Sequence, residues 1–305
     1  MSEANRVRIG WRLTGSADPW NIINRTGDAL NAGTETVRSD SIRSDRKRGG
    51  QKVVTLTVGG TIDFEVTGND YDQFLAAAMC DAWTPDTPAV GTDQLAVGTA
   101  DTTIDIIKSY LDEDRHVLMT ECEVSQLQLT MEAGSKVTGQ LTFMGVDADA
   151  EYDPSGDTFN EPGTGLFFDS SNNLSSIMID GAPVAGMIIT GMSLTINNNH
   201  QSGQGVGNLT QYHDKGSADI TGSKTIRMSA AAFDLWKQTL TNTPISSSFT
   251  MGDADTSYTF KIGEEYLSGD LPSGALDSIL SLELNTVVAT DSTNEMLLIE
   301  RTVTP

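Results

Sequence analysis

The sequence predicts a mainly β protein of two similar tandem lobes, each a β-sandwich or half-barrel carrying one short α-helix. Three observations predict it. Apolar and polar residues alternate over long runs, as in Ile62, Phe64 and Val66 against Thr61, Asp63 and Glu65. That period of two buries one face of a strand and solvates the other. Thr and Ser are abundant, Gly supplies 29 of 305 residues, and charged residues are only 20%, a composition suited to strands separated by turns. A strand followed by a short helix also occurs twice, at an offset of 162 residues between Gly60 and Gly222.

Residues 6–13 read as a strand, and 14–35 as turn-rich, with Gly15, Asp18-Pro19, Gly27 and Gly33. Trp20, Ile22 and Ile23 within them are expected to tuck into a groove of the same subunit or of a neighbour. A polar, basic run ends at Gly49-Gly50 and leads into a long strand, Val53 to Val66. The helix after it places Tyr71, Phe74, Leu75, Ala78 and Met79 on one apolar stripe, with Asn69 as the expected N-cap and Asp70 and Asp72 suiting the helix dipole. Residues 84–100 read as a loop and 103–110 as a strand. Residues 116–131 alternate again, with a slip near Ser125 that fits a bulge. Glu132 to Ser135 read as a hairpin turn, and Val137, Gly139, Leu141 and Phe143 line one face of the returning strand.

Domain boundaries follow from composition. Residues 1–147 form a first lobe with a basic arm at 38–52, 148–165 an acidic linker with two prolines and three glycines, and 166–305 a second lobe. Second-lobe strands are expected at 176–180, 187–196, 218–228, 245–251, 256–262, 276–289 and 295–301, with a helix at 231–240. At the repeat offset Ile62, Phe64 and Val66 correspond to Lys224, Ile226 and Met228, and Tyr71-Asp72 to Phe233-Asp234. The apolar phase is kept without a gap, which duplication explains. The second copy lacks a basic arm: NNNHQSGQGVGN stands in its place.

Net charge is −23, yet residues 1–52 hold ten Lys or Arg against six Asp or Glu, so the remaining 253 residues carry −27. Arg38, Arg43, Arg46, Lys47, Arg48 and Lys52 form the arm. A basic arm on an acidic chain is self-complementary, which head-to-tail stacking requires; a solvated loop is the simpler reading of a charge run. The acid excess argues against a surface that grips nucleic-acid phosphate. No apolar run approaches a membrane span, no signal-peptide core is visible, and folding in a cytoplasm is the expectation. Cys80 and Cys122 are expected as free thiols.

Catalytic and metal signatures are thin. His116, His200 and His213 have no partner at metal-binding spacing, no nucleophile elbow or phosphate loop occurs, and Gly203 to Gly207 read as a flexible hairpin. Asp63 and Glu65 suggest a solvated strand face before paired-carboxylate catalysis, and the acidic linker lacks the ligand order of a calcium loop. No enzyme activity, cofactor or metal is expected.

Taken in order, SDSIRSDR, a Gly-containing strand ending in DFEV, NDYDQFLAAAM and Trp83, then SLTI at 193–196 and FTMGDADTSYTFKIGEEY at 249–266, resemble the major tail tube proteins of long-tailed (siphovirus-type) bacteriophages, in the branch with two lobes per chain. The resemblance spans roughly residue 35 to the end. It implies a virion structural protein, made in the host cytoplasm, whose inner sheets join between subunits into a β-barrel channel for DNA. Rings stack head-to-tail. Duplication favours a trimeric, pseudo-sixfold ring over a hexamer with a decorating second lobe. Implied partners are further copies of the chain and the tape measure, tail terminator and distal tail proteins. DNA passes without specific binding. Lumen-facing candidates are Asp63, Glu65, Glu121, Glu123, Gln126 and Gln128, with Glu123 and Gln128 depending on where the bulge falls. A carbohydrate-binding or adhesive β-sandwich, or another tail ring protein such as a terminator or baseplate hub, is the alternative.

Overall fold

The computed structural model describes residues 3–45, 47–274, 276–290 and 295–304. In the first half the chain forms β1 (Val7–Leu13), β2 (Trp20–Ile22), β3 (Gly27–Asp28), β4 (Asn31–Arg38), β5 (Gln51–Glu65), α1 (Asp72–Met79), β6 (Thr92–Ala96), β7 (Ile104–Tyr110), β8 (Arg115–Glu132) and β9 (Thr138–Gly145). Two short strands, β10 (Asp147–Asp149) and β11 (Phe159–Asn160), lead to the second half. There follow β12 (Leu174–Ile179), β13 (Ala182–Pro183), β14 (Ile188–Asn197), β15 (Gln201–Gly203), β16 (Tyr212–Asp214), β17 (Asp219–Arg227), α2 (Ala230–Thr241), β18 (Ile245–Gly252), β19 (Thr256–Ser268), β20 (Ser281–Ala289) and β21 (Leu297–Val303).

The same antiparallel order occurs twice. In the first half β1, β7, β8, β9, β5 and β4 lie side by side. In the second half β12, β18, β19, β20, β17 and β14 do the same. Each half places its helix directly after the corresponding strand, α1 after β5 and α2 after β17. Gly60 and Gly222 occupy matching positions for a matching reason. A Cβ on Gly60 would lie 2.2 Å from the Ala29 carbonyl oxygen, and one on Gly222 2.4 Å from that of Ser193. Gly60 also sits at φ +131°, a conformation side chains disfavour.

The two halves are not separated. The C-terminal part of β8 pairs with β9 on one edge and with β14 on the other, Gln126–Glu132 against Gly191–Asn197. One sheet therefore runs β4–β5–β9–β8–β14–β17–β20. A single apolar core lies beneath it, from Ile9 through Phe64, Phe74, Phe143 and Leu127 to Phe260 and Ile299. A smaller cluster under α2 holds Ile226, Leu235, Leu282 and Leu284. Burying each large side chain contributes about 1.5–3 kcal/mol.

Helix α1 buries six of its eight residues, and Phe74 packs against Trp11 at 4.9 Å and Phe143 at 5.9 Å between ring centres. The expected N-cap is corrected. Asn69 stands at φ 67°, and the N-cap position is Tyr71, with no side-chain cap. Asn69 instead reaches across the chain: its Nδ2 donates to Thr256 Oγ1 and its backbone N–H to the Tyr258 hydroxyl, both at 2.9 Å. Helix α2 does have a side-chain cap, the Ser229 hydroxyl accepting from the Ala232 N–H at 3.1 Å.

Other expectations change in detail. Residues 84–100 are not all loop, because Thr92–Ala96 form β6 against the distant β21, and Leu95 is fully buried. The turn-rich stretch 14–35 contains β2, β3 and the start of β4. Trp20 and Ile23 bury within their own chain, and the Trp20 indole N–H donates to Asp157 at 2.8 Å. Residues 148–165 lie against the first half, through Asp157 and through Gly163, whose N–H donates to Asp70. The slip at Ser125 is a register shift between Val124 and Gln126 in the β8–β9 pairing. Cys80 and Cys122 are free and buried; burial pushes the Cys122 thiol up to about 12, which makes it unreactive.

Candidate assembly surfaces

The face of the long sheet that points away from the core carries aligned polar belts. Strand register brings Asp63, Gln140, Gln128, Thr195, Thr221 and Val287 into one line. A second line is Glu65, Thr138, Thr130, Ser193, Ser223 and Asn285. A third is Thr61, Thr142, Gln126, Asn197 and Asp219. Most members are uncharged hydroxyls and amides, and every ionisable one is acidic. Gln140 Nε2 donates to Asp63 at 2.6 Å, and Lys136 pairs with Glu65 from the hairpin end.

Five of the predicted lumen candidates, Asp63, Glu65, Glu123, Gln126 and Gln128, thus fall on one face, Glu123 through its partner Met144, which follows Thr142 on that face of β9. Glu123 also binds His200, whose Nε2 is 2.5 Å from its carboxylate. The sixth, Glu121, lies apart. It stands at φ 50°, exposed, where β8 runs beside β7, and its N–H donates to Asp105 at 3.2 Å. Sequence reasoning missed the second-half members Ser193, Thr195, Thr221 and Ser223. The signal was present, because they are the polar partners of the alternating Met192, Leu194 and Ile196 and of their neighbours on β17.

The basic arm is the outer end of the β4–β5 hairpin. Its strands stay paired from Asn31–Gly59 to Arg38–Gln51, well beyond the core. Val37, Val53 and Val54 are exposed along it, and Ile42 is fully exposed in the loop. Arg38, Arg43, Lys47, Arg48 and Lys52 all face solvent, whereas Arg46 lies outside the described residues. Arg43 pairs locally with Asp45 at 2.9 Å, and that hydrogen bond raises its pKa and lowers that of Asp45. The loop between β14 and β17 braces the arm's base. Gln204 Oε1 accepts from Thr55 at 3.0 Å, Gln204 Nε2 donates to the Val54 carbonyl at 2.6 Å, and the Leu56 N–H donates to the Leu209 carbonyl at 2.8 Å.

A sheet with one polar face, an arm projecting from its edge strand and a duplicated topology describe a building block. A family model described as "Phage tail tube protein" matches residues 4–286. The chain belongs to the phage tail tube protein family. No curated protein matches it. This tail tube protein is therefore a structural component of the virion tail. Among the described residues no group of three or more His, Cys, Asp or Glu is placed to hold a metal ion, and no helix is long and apolar enough to cross a membrane.

A polar clamp ties the tail tube protein's last strand to its first helix. Arg301 on β21 pairs with Asp72 on α1 and with Asp93 on β6, and its guanidinium lies 4.9 Å from the Trp83 ring centre. The Tyr258 hydroxyl donates to Asp72 at 2.5 Å. Burial opposes the Arg301 charge, but Asp93 and Asp72 outweigh it, so its pKa rises. The hydrogen bond from Arg301 holds Asp93 below its ordinary value. Burial, with the neighbouring Asp72 carboxylate, raises Tyr258.

Proposed function

We propose that this chain is the major tail tube subunit of a siphovirus-type phage, that three copies close a ring, and that rings stack into a channel for DNA. One observation carries the reading: the second half continues the inner sheet of the first through β8–β14. That junction joins two repeats of the same topology edge to edge, as a ring joins subunits. The repeats are residues 1–147 and 166–305, with 148–165 between them. A second half that merely decorated a hexamer would not need to extend the sheet.

The seven inner strands of each chain, with the continuation of β19 beside β20 as an eighth, give 24 in a trimer. At a spacing of about 4.8 Å and a tilt near 40°, such a barrel has a backbone diameter of roughly 50 Å. Closure also removes the edge strands that invite aggregation. The polar belts face the lumen. Hydroxyls and amides keep it wet, and its few charges repel phosphate, so DNA slides through. Tape measure, terminator and distal tail proteins contact the ends or the lumen of such a tube.

The arm docks on an acidic surface of the next ring. Exposed ion pairs give only about 0–1 kcal/mol each, so the arginines and lysines set register and polarity. Burying the Ile42 side chain adds about 1.5–3 kcal/mol per arm. Replacing Arg43, Arg46 and Arg48 with Glu leaves the subunit folded and blocks stacking. Long tubes of that variant at normal yield, seen by electron microscopy, would refute the arm's role.

A further inference from the structure

The second repeat lacks a strand that the first possesses, and its place is identifiable. Gly60 pairs with Phe143 and Gly222 with Thr286, so Phe143 corresponds to Thr286. Val124 pairs with Phe143, and Leu267 with Thr286; these two correspond as well. Past Val124, β8 continues through Glu132 with neighbours on both edges. Past Leu267, β19 ends at Ser268. Residues 269–274 form no strand, and Ser281–Leu284 of β20 pair only with β17.

The sequence of this short segment keeps strand phase. The β19–β20 register contains no counterpart of the Ser125 bulge, so Gly269, Asp270 and Leu271 correspond to Leu127, Gln128 and Leu129. Asp270 then falls on the polar face and Leu271 on the core face, where it remains 45% exposed in the single chain. Pro272 ends the pattern, since it cannot donate to a ladder.

The opposite end of the sheet offers the matching edge. Leu194 pairs with Gly222, while Asn31 pairs with Gly59 and Asp28 with Ile62. Residues 29–32 therefore correspond to 193–196, the part of β14 that binds β8. Among the described residues no strand covers their second edge. Lys108 caps it, its Nζ donating to the Leu30 carbonyl at 3.1 Å and pairing with Asp28, a common protection for a free edge. Seven strand spacings, roughly 34 Å along the sheet, separate this edge from residues 269–272, so they cannot meet within one chain.

We infer that residues 269–272 become the eighth inner strand only when residues 29–32 of a second copy pair with them, in the register of the internal β8–β14 junction. Ring closure is then coupled to local folding, and the Leu271 N–H replaces Lys108 at the Leu30 carbonyl. The inference rests on the ring reading above.

In that register Asn31 lies opposite Asp270, as Thr195 lies opposite Gln128. Directly opposed residues have Cα atoms about 4.5–5.5 Å apart, within disulfide range. The full-length variant Asn31→Cys/Asp270→Cys, assembled under reducing conditions and then oxidised with diamide, is expected to yield covalent dimers and closed trimers on a non-reducing gel. Neither single-Cys variant yields them. Hydrogen exchange on the wild-type protein gives a second reading: amides 269–271 slow by about 100-fold on assembly, as expected when local opening is suppressed. Rings that form without the cross-link and without slowed exchange overturn the inference and leave the ring intact. A wild-type protein that forms no ring with its tail partners present overturns both.

Discussion

Arg301→Met tests how the chain holds its two halves in register. The substitution keeps the apolar stem and removes the charge shared by Asp72 and Asp93. Breaking one partner of a fully buried ion pair costs about 3–5 kcal/mol. Here the Arg301 side chain keeps 20% of its exposure, and the carboxylates 14% and 21%. Water therefore screens part of the loss, leaving about 2–3 kcal/mol. At roughly 2 °C per kcal/mol for a chain of this size, Tm falls by about 4–6 °C. The pH dependence has a defined sign. Asp93 is held below its ordinary value chiefly by the hydrogen bond from Arg301. Its contribution is complete above the unfolded carboxylate pKa, about 4, and is lost as pH falls through the lower folded value. The gap between wild type and variant in calorimetric scans should be full at pH 7 and shrink below about pH 4. A change under about 1 °C at pH 7, or a gap unchanged at acid pH, would refute the clamp.

Lys224 and Glu265 form an ion pair with almost no solvent access, and Ser247 donates to the same carboxylate. Lys224→Ala alone should cost about 3–5 kcal/mol in urea unfolding, whereas Lys224→Met with Glu265→Leu should be neutral or gain about 1–4 kcal/mol. Gly60→Ala places a Cβ 2.2 Å from the Ala29 carbonyl; it is expected to prevent accumulation of soluble folded subunit, and a variant of normal Tm would contradict the close-approach argument. Ser229→Ala removes the α2 cap and should lower stability by about 1 kcal/mol, read in the same urea titration.

Local signals carried most of the fold. Alternation located β5, β8, β9, β14 and β17, the apolar stripe located α1, and the phase slip at Ser125 located the bulge. All depend on near neighbours in sequence. Features made by distant partners were not legible. Thr92–Ala96 carry little alternation, and they are a strand because β21 lies beside them about 200 residues later in the chain. The stretch Asn31–Arg38 is exposed on both faces along most of its length, so no burial pattern marks it, although it forms half of the arm. Asn69 suits an N-cap by residue type but is drawn away by Thr256 and Tyr258. Among the candidate lumen residues, alternation ranked faces correctly within a strand. It did not show which strands share a sheet, and so the second-half belt was missed and Glu121 was grouped with residues that it does not join.

The most direct test of the account is a cross-section of the assembled tube by cryo-electron microscopy. Three chains per ring, each giving eight strands to one barrel with the polar belts inward, is the predicted result. Six chains per ring, with residues 166–305 outside the barrel wall, would contradict it.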